Sequence, residues 1–334
     1  MEKENLNKIV APHLNAEVYR TDTTGNCNVS YLDYIRIHSD GSVLVGSSEL
    51  TGRYWDGGAS IFKDIAEAKS SHAQDKRCIS LTSGNADGCF VDSYQKILLC
   101  EDSGAVSIWT TPEDHQAWQL WREEKSVVEH DACAMAVDCL DPGKEYVTVG
   151  ADGNAKVWDI SQLLCLRHYE AHTMATLGVS VRPMSTNNFA TCSYDAHATL
   201  WDDNIAKPAL DLFENDCGIR CIQWLDENRL VFGDEAGILR LLDVRNTESS
   251  FKLTEFPAAV HKLAFNAEKD KIAVICDNSI VSVCEISEDS NCKVIYHDRH
   301  MHSKFVRGLT WDHQQKNLLH TLGWDSAIKS HSII

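Results

Sequence analysis

Residues 146–159 read YVTVGADGNAKVWD, and residues 189–202 read FATCSYDAHATLWD. In both stretches an apolar strand runs into a turn that carries an aspartate, and a second strand ends at Trp-Asp. Weaker copies in the same order occupy residues 98–109, 230–243, 272–285 and 318–331. The turn aspartates recur at intervals of 39 to 50 residues: Asp102, Asp152, Asp195, Asp234, Asp277 and Asp325. A recurrence of this length indicates one supersecondary unit repeated along the chain.

A seventh unit precedes the others and differs from them at its turn. It runs from residues 43–48 to residues 61–64, has no turn aspartate, and carries an expanded turn over residues 49–58. Short runs rich in Val, Ile, Thr and Tyr between Gly, Asp and Asn residues are typical of half-buried strands. Seven units at this spacing resemble WD-repeat proteins, in which each unit is a four-stranded blade. The sequence therefore predicts an all-β, seven-bladed WD-repeat β-propeller over residues 27–334, with residues 65–74 as an exposed linker or a short helix.

Three of the turn aspartates have a histidine at a nearly fixed distance before them. The separation is 22 residues in the first pair and 23 in the others: His130 with Asp152, His172 with Asp195, and His302 with Asp325. In WD-repeat blades this aspartate accepts hydrogen bonds from the histidine and from turn amides that otherwise lack partners. We therefore assign these histidines and all six aspartates to blade turns and not to acid–base catalysis.

The C-terminal unit is shorter than a blade. After Asp325, residues 327–334 are enough for one strand, whereas an outer strand is still needed to close the ring. We expect residues 14–19, within the N-terminal segment 1–26, to add to this last blade. Such an addition would cover a sheet edge that otherwise invites aggregation.

The chain has 334 residues and a formal net charge of −18, with 49 acidic against 31 basic residues. A field of this sign repels phosphate backbones and anionic membranes, which argues against nucleic acid or a membrane as partner, and it attracts basic polypeptides. The 13 cysteines form no repeated CxxC pattern, no run of 18 apolar residues occurs, and the N terminus lacks a secretory apolar region. We expect a disulfide-free protein of the cytoplasm, with the nucleus as a second location.

The sequence carries no enzyme motif. It contains neither GxxxxGKS/T nor GxGxxG for phosphate binding, and no GxSxG around a nucleophilic serine. The run HDRHMH at residues 297–302 offers three imidazoles to zinc, but His302 is assigned to a blade turn and Arg299 would repel a cation. Cys217 and Cys221 fit core packing better than metal binding. We expect no catalytic residue, no cofactor and no metal.

The expanded turn of the first unit places a Trp and an Arg on a glycine-flanked projection: Gly52, Arg53, Tyr54 and Trp55. Blade packing does not require such residues there, and Trp, Tyr and Arg are enriched among the side chains that dominate binding energy in protein interfaces. We therefore predict that these four residues bind a partner protein. The alternative is that Trp55 folds back onto its own blade.

The chain also resembles the WD-repeat subunits of the methylosome, including the Valois-like proteins of insects. The resemblance depends on short stretches spread along the sequence: GRYW at 52–55, FKD at 62–64, DSGAV at 102–106, VFGDE at 231–235, FVR at 305–307 and GWD at 323–325. It implies a non-catalytic subunit bound to the arginine methyltransferase that makes symmetric dimethylarginine, with Gly52, Arg53 and Trp55 at the contact. Tyr54 departs from the smaller residue of the family, and residues 65–88 diverge.

The same resemblance implies substrates that are basic proteins, such as histone tails and Arg-Gly-rich Sm proteins, and the acidic balance of the chain suits them. For a Valois-like protein it also implies Tudor-type partners.

Other interpretations remain open. The tripeptide Asp243-Val244-Arg245 is similar to the WDxR box of propellers that serve cullin-type ubiquitin ligases as substrate receptors, although Leu242 replaces its Trp. In many propellers an Arg at this place pairs with the neighbouring Asp instead. Trp118 and Trp121 either anchor an interface or pack against an outer strand. An enzyme is the third class of function, and no residue pattern favours it.

Overall fold

The computed structural model describes residues 31–51, 54–70, 78–112, 121–287 and 292–333, without the side chains of residues 50, 51, 54, 55 and 249. These residues form seven antiparallel sheets in chain order. The first sheet consists of β1 (Tyr31–Ile37), β2 (Val43–Thr51), β3 (Tyr54–Phe62) and β4 (Ile79–Leu81), and the second of β5 (Asn85–Val91), β6 (Ser93–Glu101), β7 (Ala105–Thr110) and β8 (Arg122–Val128). The third sheet consists of β9 (Ala134–Asp141), β10 (Glu145–Gly150), β11 (Asn154–Asp159) and β12 (Leu164–Glu170). The fourth consists of β13 (Thr176–Val181), β14 (Asn188–Ser193), β15 (His197–Asp202) and β16 (Leu210–Glu214). The fifth sheet consists of β17 (Ile219–Trp224), β18 (Arg229–Asp234), β19 (Ile238–Asp243) and β20 (Asn246–Glu255). The sixth consists of β21 (Val260–Phe265), β22 (Lys271–Cys276), β23 (Val281–Ile286) and β24 (Cys292–Asp298). The seventh consists of β25 (Val306–Trp311), β26 (Leu318–Gly323) and β27 (Ile328–Ser332).

The sheets are the blades of a propeller. The first strand of each sheet packs against the first strands of the sheets before and after it, and β1 packs against β25. The described strands therefore close into a ring, with the seven first strands around a central channel. The predicted all-β, seven-bladed WD-repeat propeller is confirmed.

Apolar side chains fill the space between neighbouring blades. Between blades 3 and 4, the ring of Tyr169 lies 4.9 Å from that of Trp201 and 6.0 Å from that of Phe189. Similar buried clusters join the other blades. Because each blade packs against two others, this arrangement fixes the inner strands and the turns at their ends, where the candidate sites lie.

Residues 49–58 are not the expanded turn predicted from the sequence but the end of a long hairpin. β2 continues to Thr51 and β3 begins at Tyr54, and the strands stay paired from Ser48 opposite Gly57 to Thr51 opposite Tyr54. Each strand has nine residues, against six in the second and third strands of blades 3 to 6. The Gly and Asp residues suggested a loop, but the Thr, Tyr and Trp among them favour strand, and pairing satisfies the backbone.

Residues 65–74, predicted as a linker or a short helix, contain helix α1 (Ile65–Ser70). The Asp64 carboxylate accepts the amide of Glu67 at 2.7 Å, and the Glu67 carboxylate accepts the amide of Lys63 at 3.1 Å. This reciprocal capping starts the helix. Ala68 is buried against blade 1. No helix among the described residues has the length and apolar character needed to cross a membrane.

Blade 7 has three described strands, and within them the outermost strand β27 pairs with β26 alone. The predicted fourth strand, residues 14–19, lies outside the described residues, as does the whole segment 1–26. Other contacts join blade 7 to blade 1: Trp324 Nε1 donates to the Asp33 carboxylate at 3.0 Å, and the rings of Trp324 and Tyr31 lie 5.4 Å apart.

Candidate functional site

The structure brings the three predicted histidines to their turn aspartates. In blade 3, His130 Nδ1 lies 3.0 Å from an oxygen of Asp152, and the amides of Asp131 and Asn154 donate to the same carboxylate at 3.1 Å. Burial raises the pKa of Asp152, but His130 and the Asn154 amide outweigh burial, so the net shift is downward. The corresponding pairs in blades 4 and 7 are both 3.1 Å apart: His172 with Asp195, and His302 with Asp325. These side chains complete the turns.

Two residues that the sequence analysis missed extend the arrangement. In blade 3, Trp158 Nε1 donates to Thr148 Oγ1 at 2.8 Å, and Thr148 Oγ1 lies 2.9 Å from His130 Nε2. Thr191 and Trp201 repeat this geometry in blade 4. Thr148 Oγ1 therefore joins the indole and the imidazole in one buried hydrogen-bond network. The signal was a Thr four residues before the Asp and ten before the Trp.

We expect Thr148→Val to lower the free energy of unfolding by roughly 2–4 kcal/mol, because valine keeps the shape but leaves buried Trp158 and His130 nitrogens without partners. Thr176→Val is the matched control. Thr176 is also fully buried, but its hydroxyl has no hydrogen-bond partner among the described residues, so this change should be neutral or stabilising. Chemical denaturation compares the two. Equal losses in both variants would contradict the role assigned to Thr148.

Blade 7 has a histidine where blades 3 and 4 have the tryptophan. His331 Nε2 lies 2.7 Å from Thr321 Oγ1, and the Tyr296 hydroxyl lies 2.9 Å from His331 Nδ1. The ring of Tyr296 in blade 6 packs on His331 of blade 7, just as Tyr169 of blade 3 packs on Trp201 of blade 4. Burial, together with neighbouring His302, lowers the pKa of His331 to about 4. The imidazole is therefore neutral at physiological pH.

We expect the propeller to lose stability as the pH falls from 6.5 towards 4, and His331→Trp to reduce that loss. Between these values the unfolded chain binds a proton at His331 that the folded chain does not, so the stabilising contribution is complete above pH 6.5 and disappears towards pH 4. The shift corresponds to at most about 3 kcal/mol. Thermal melts of both proteins at pH 7.5 and 4.5 measure it. A variant as acid-sensitive as the wild type would contradict this assignment.

Asp102 and Asp277 have a different position from the three capping aspartates. In blade 3 the backbone amide of Ala151, the residue before Asp152, donates to the carbonyl of Cys133. In blades 2 and 6 the equivalent hydrogen bond is made by the amides of Asp102 and Asp277 themselves. Both therefore lie one residue earlier in the turn than Asp152. The Asp102 carboxylate accepts the thiol of Cys133 at 3.0 Å, and the Asp277 carboxylate binds two arginines of neighbouring blades.

Asp234 lies earlier still, at the end of β18, and is buried. Its carboxylate accepts the amide of Ile238 at 2.8 Å and the side-chain amide of Asn215 at 3.1 Å. Asn215 thus takes the place of the histidine in blade 5, and Asp234 still serves its turn.

The hairpin of blade 1 carries the four predicted partner-binding residues. Gly52 and Arg53, between β2 and β3, lie outside the described residues, while Tyr54 and Trp55 begin β3. The described backbone pairs Trp55 with Leu50. These residues belong to the connection that in other blades carries the turn aspartate, so the hairpin lies on the same face as those turns. The contacts of the four side chains stay a prediction.

The base of this hairpin is fixed by close backbone packing. A Cβ atom on Gly57 would lie 2.3 Å from the carbonyl oxygen of Ser83, so only glycine allows the two segments to approach this closely. β4 pairs with β3 from Ala59 to Gly57, and beyond Gly57 the only described strand beside β3 is β2. Three residue pairs therefore extend the hairpin past the blade, by about 10 Å at the rise of a strand.

Local contacts account for two other candidates. Arg299 Nε donates to His297 Nε2 at 2.9 Å, and His302 is buried in its turn. Throughout the described part of the chain, no three His, Cys, Asp or Glu side chains form a group suited to a metal ion. Arg245 pairs with Asp243 at 2.6 Å, which is the local alternative to a ligase-binding box.

Packing accounts for the remaining candidates. Trp121 is buried in the cluster between blades 1 and 2, whereas Trp118 lies outside the described residues. Cys221 belongs to the core between blades 5 and 6. Cys217 precedes the first strand of blade 5 and is partly buried.

Fold and turn geometry together define a WD-repeat β-propeller. The family model "WD domain, G-beta repeat" matches residues 121–159 and 163–202, which contain the complete His, Thr, Asp and Trp sets of blades 3 and 4. Within this class the chain is WDR77-like. It is 28% identical to "Methylosome protein WDR77" of Xenopus laevis over 319 residues, which cover 94% of this chain and 93% of that protein. The predicted resemblance to methylosome WD-repeat subunits is confirmed.

Other relatives match shorter parts of the chain. "Target of rapamycin complex subunit LST8" of Mus musculus is 25% identical over 177 residues, 50% of this chain and 48% of that protein. The "Guanine nucleotide-binding protein subunit beta" of Saccharomyces cerevisiae is 24% identical over 127 residues, 36% of this chain and 30% of that protein. Partial matches of this kind follow from the shared repeat, whereas the match to WDR77 also covers the segments between repeats.

Proposed function

We propose that this chain is a non-catalytic scaffold that binds a protein arginine methyltransferase of the type that forms symmetric dimethylarginine. The observation that carries the proposal is the likeness to Methylosome protein WDR77, which extends over 94% of this chain. A likeness through one or two repeats would support the fold alone. A likeness through blades and connections together supports a common surface, and hence a common kind of partner.

The contact we propose is the tip of the blade 1 hairpin, at Gly52, Arg53, Tyr54 and Trp55. The paired strands project beyond the blade, and their base is held by β4 and by the close approach of Gly57 to Ser83. A hairpin with a fixed base loses little conformational freedom when it binds, so more of the contact energy appears as affinity. Trp and Arg at such a tip are the residue types that most often dominate an interface.

The charge of the chain supports a role in presenting basic substrates to the bound enzyme. With a net charge of −18, the propeller raises the local concentration of Arg- and Lys-rich segments. Histone tails and Arg-Gly-rich Sm proteins have this character, and Tudor-type proteins would be further partners of a Valois-like chain. We place the complex in the cytoplasm, with the nucleus as a second location.

Affinity capture of the tagged full-length chain from cells, followed by mass spectrometry, tests the proposal. We expect an arginine methyltransferase at near-stoichiometric yield. Capture of cullin-ligase subunits without a methyltransferase would reject the proposal and support a substrate receptor instead. In that case Arg245→Ala should abolish the capture, although the pairing of Arg245 with Asp243 gives no support for such a role.

A further inference from the structure

The mouth of the central channel is a cavity of about 540 Å³ that the proposed function does not use. Each first strand has an irregular register near its start, which leaves one bulged residue facing this cavity. On blades 2 to 4 these residues are Ala86, Met135 and Leu177. On blades 5 to 7 they are Arg220, His261 and Arg307. The bulged side chains are therefore apolar on blades 2 to 4, whereas Arg220 and Arg307 make the opposite wall cationic. A volume of this size is typical of ligand sites.

The cationic wall is held in place by one carboxylate. Arg220 Nη1 and Arg307 Nη1 donate to the two oxygens of Asp277 at 2.7 and 2.8 Å. Burial lowers the pKa of His261 well below its ordinary value, so this residue is neutral, and its Nδ1 lies 3.2 Å from Arg307 Nη1. The guanidinium of Arg307 also stacks on Trp324 at 4.5 Å. Two fixed guanidinium groups thus share a single counter-charge.

Lys262 adds a third cation. It lines the cavity next to His261, and its ammonium group has no hydrogen-bond or ion-pair partner among the described residues. Burial lowers the pKa of Lys262; Asp87 raises it, and Arg36 lowers it again. The Nε of Arg307 is likewise buried without a partner among those residues. The cationic wall therefore has hydrogen-bond donors that nothing described accepts.

Four carboxylates line the cavity, and each has a donor; Asp102 accepts the thiol of Cys133 at 3.0 Å. Asp138 accepts the amides of Val181 and Cys139 at 2.7 and 2.8 Å. Arg36 Nη2 donates to both carboxylate oxygens of Asp87 at 2.9 Å.

Asp33, at the cavity's lip, accepts the Ser48 hydroxyl at 2.7 Å and the Trp324 indole at 3.0 Å. Each carboxylate that lines the cavity thus has a donor, whereas Lys262 has no acceptor among the described residues. An incoming carboxylate beside Lys262 would gain charge-assisted hydrogen bonds.

We infer that the channel mouth binds a peptide segment that places a carboxylate side chain between Lys262, Arg220 and Arg307, with flanking apolar residues against Met135 and Leu177. This site is separate from the blade 1 hairpin and takes a ligand opposite in charge to the basic substrates. It therefore gives the propeller a second, independent binding function.

Three fluorescein-labelled peptides test the site on the full-length protein: Gly-Leu-Glu-Leu-Gly and the same sequence with Gln or Arg at the centre. We expect fluorescence anisotropy to show that the Glu peptide binds at least tenfold more tightly than the Gln peptide, and the Arg peptide most weakly. Equal binding of all three, or no binding, would overturn the inference. Tightest binding of the Arg peptide would overturn it too, in favour of a site for basic substrates.

Lys262→Met connects the preference to the cavity, because methionine keeps the aliphatic stem and removes the charge. We expect this variant to lose the preference for Glu over Gln while melting at the wild-type temperature, since Lys262 has no described partner to lose. Lys207→Met, at an exposed lysine between β15 and β16, is the matched control and should keep the preference. A preference that persists in Lys262→Met, or is lost equally in both variants, would overturn the inference.

Discussion

Trp55→Ala is expected to weaken binding of the arginine methyltransferase by at least about 2 kcal/mol, roughly 30-fold in Kd, while the melting temperature stays unchanged. The reason is the position of Trp55 on the part of the hairpin that extends beyond its blade, where it pairs with Leu50 on β2. An aromatic side chain at such a tip is not needed to fill the propeller, so truncation should cost binding and not folding. Isothermal titration calorimetry with the purified enzyme measures the loss.

Phe251→Ala is the matched control for this experiment. Phe251 is also a large aromatic residue and is 67% exposed, but it lies on the outer strand of blade 5, away from the hairpin. The Phe251→Ala variant should bind the methyltransferase with unchanged affinity. If Trp55→Ala binds as tightly as the wild type, the contact lies elsewhere; if it melts at a lower temperature, Trp55 packs onto its own blade.

Deletion of residues 1–25 is expected to lower the melting temperature by roughly 10 °C. In the described part of blade 7, β27 has a neighbour on one side alone, and we propose that residues 14–19 supply the other. Burial of Leu14 and Val18 in an added strand would contribute roughly 3–6 kcal/mol, and each kcal/mol shifts the melting temperature of a protein of this size by a few degrees.

Deletion of residues 1–10 provides the control, because it retains the proposed strand. This shorter deletion should melt like the full chain. If the two deletions melt at the same temperature as the full chain, residues 14–19 do not close the ring.

The repeat made the fold predictable, because each blade has the same pattern of strands and turns. The histidine–aspartate pairs followed from one spacing. The hydrogen-bonded threonines could have been predicted from spacing too, since Thr148 stands at a fixed distance from Asp152. The role of Asp102 and Asp277 could not be predicted in this way, because a shift of one residue in a turn changes which groups the carboxylate faces. In the sequence, this shift appears only as a longer distance from the aspartate to the next Trp position.

The channel mouth could not be predicted from local patterns. Asp277 meets Arg220 and Arg307, which lie 57 and 30 residues away on other blades. Their meeting depends on the ring, which places equivalent positions of successive blades side by side. The hairpin of blade 1 was recognised as unusual, but its strand pairing was not, because Gly and Asp residues conceal the strand preference of the Thr, Tyr and Trp between them.

Reconstitution of the complex from purified components tests whether this chain is a subunit of an arginine methyltransferase. The rate of symmetric dimethylation of an Arg-Gly peptide is measured for the methyltransferase alone and with increasing amounts of the full-length chain. We expect saturable binding and a rise in rate of at least tenfold, with no methylation by the chain alone. Absence of both binding and stimulation would contradict the assignment to a methylosome and leave the propeller without its proposed partner.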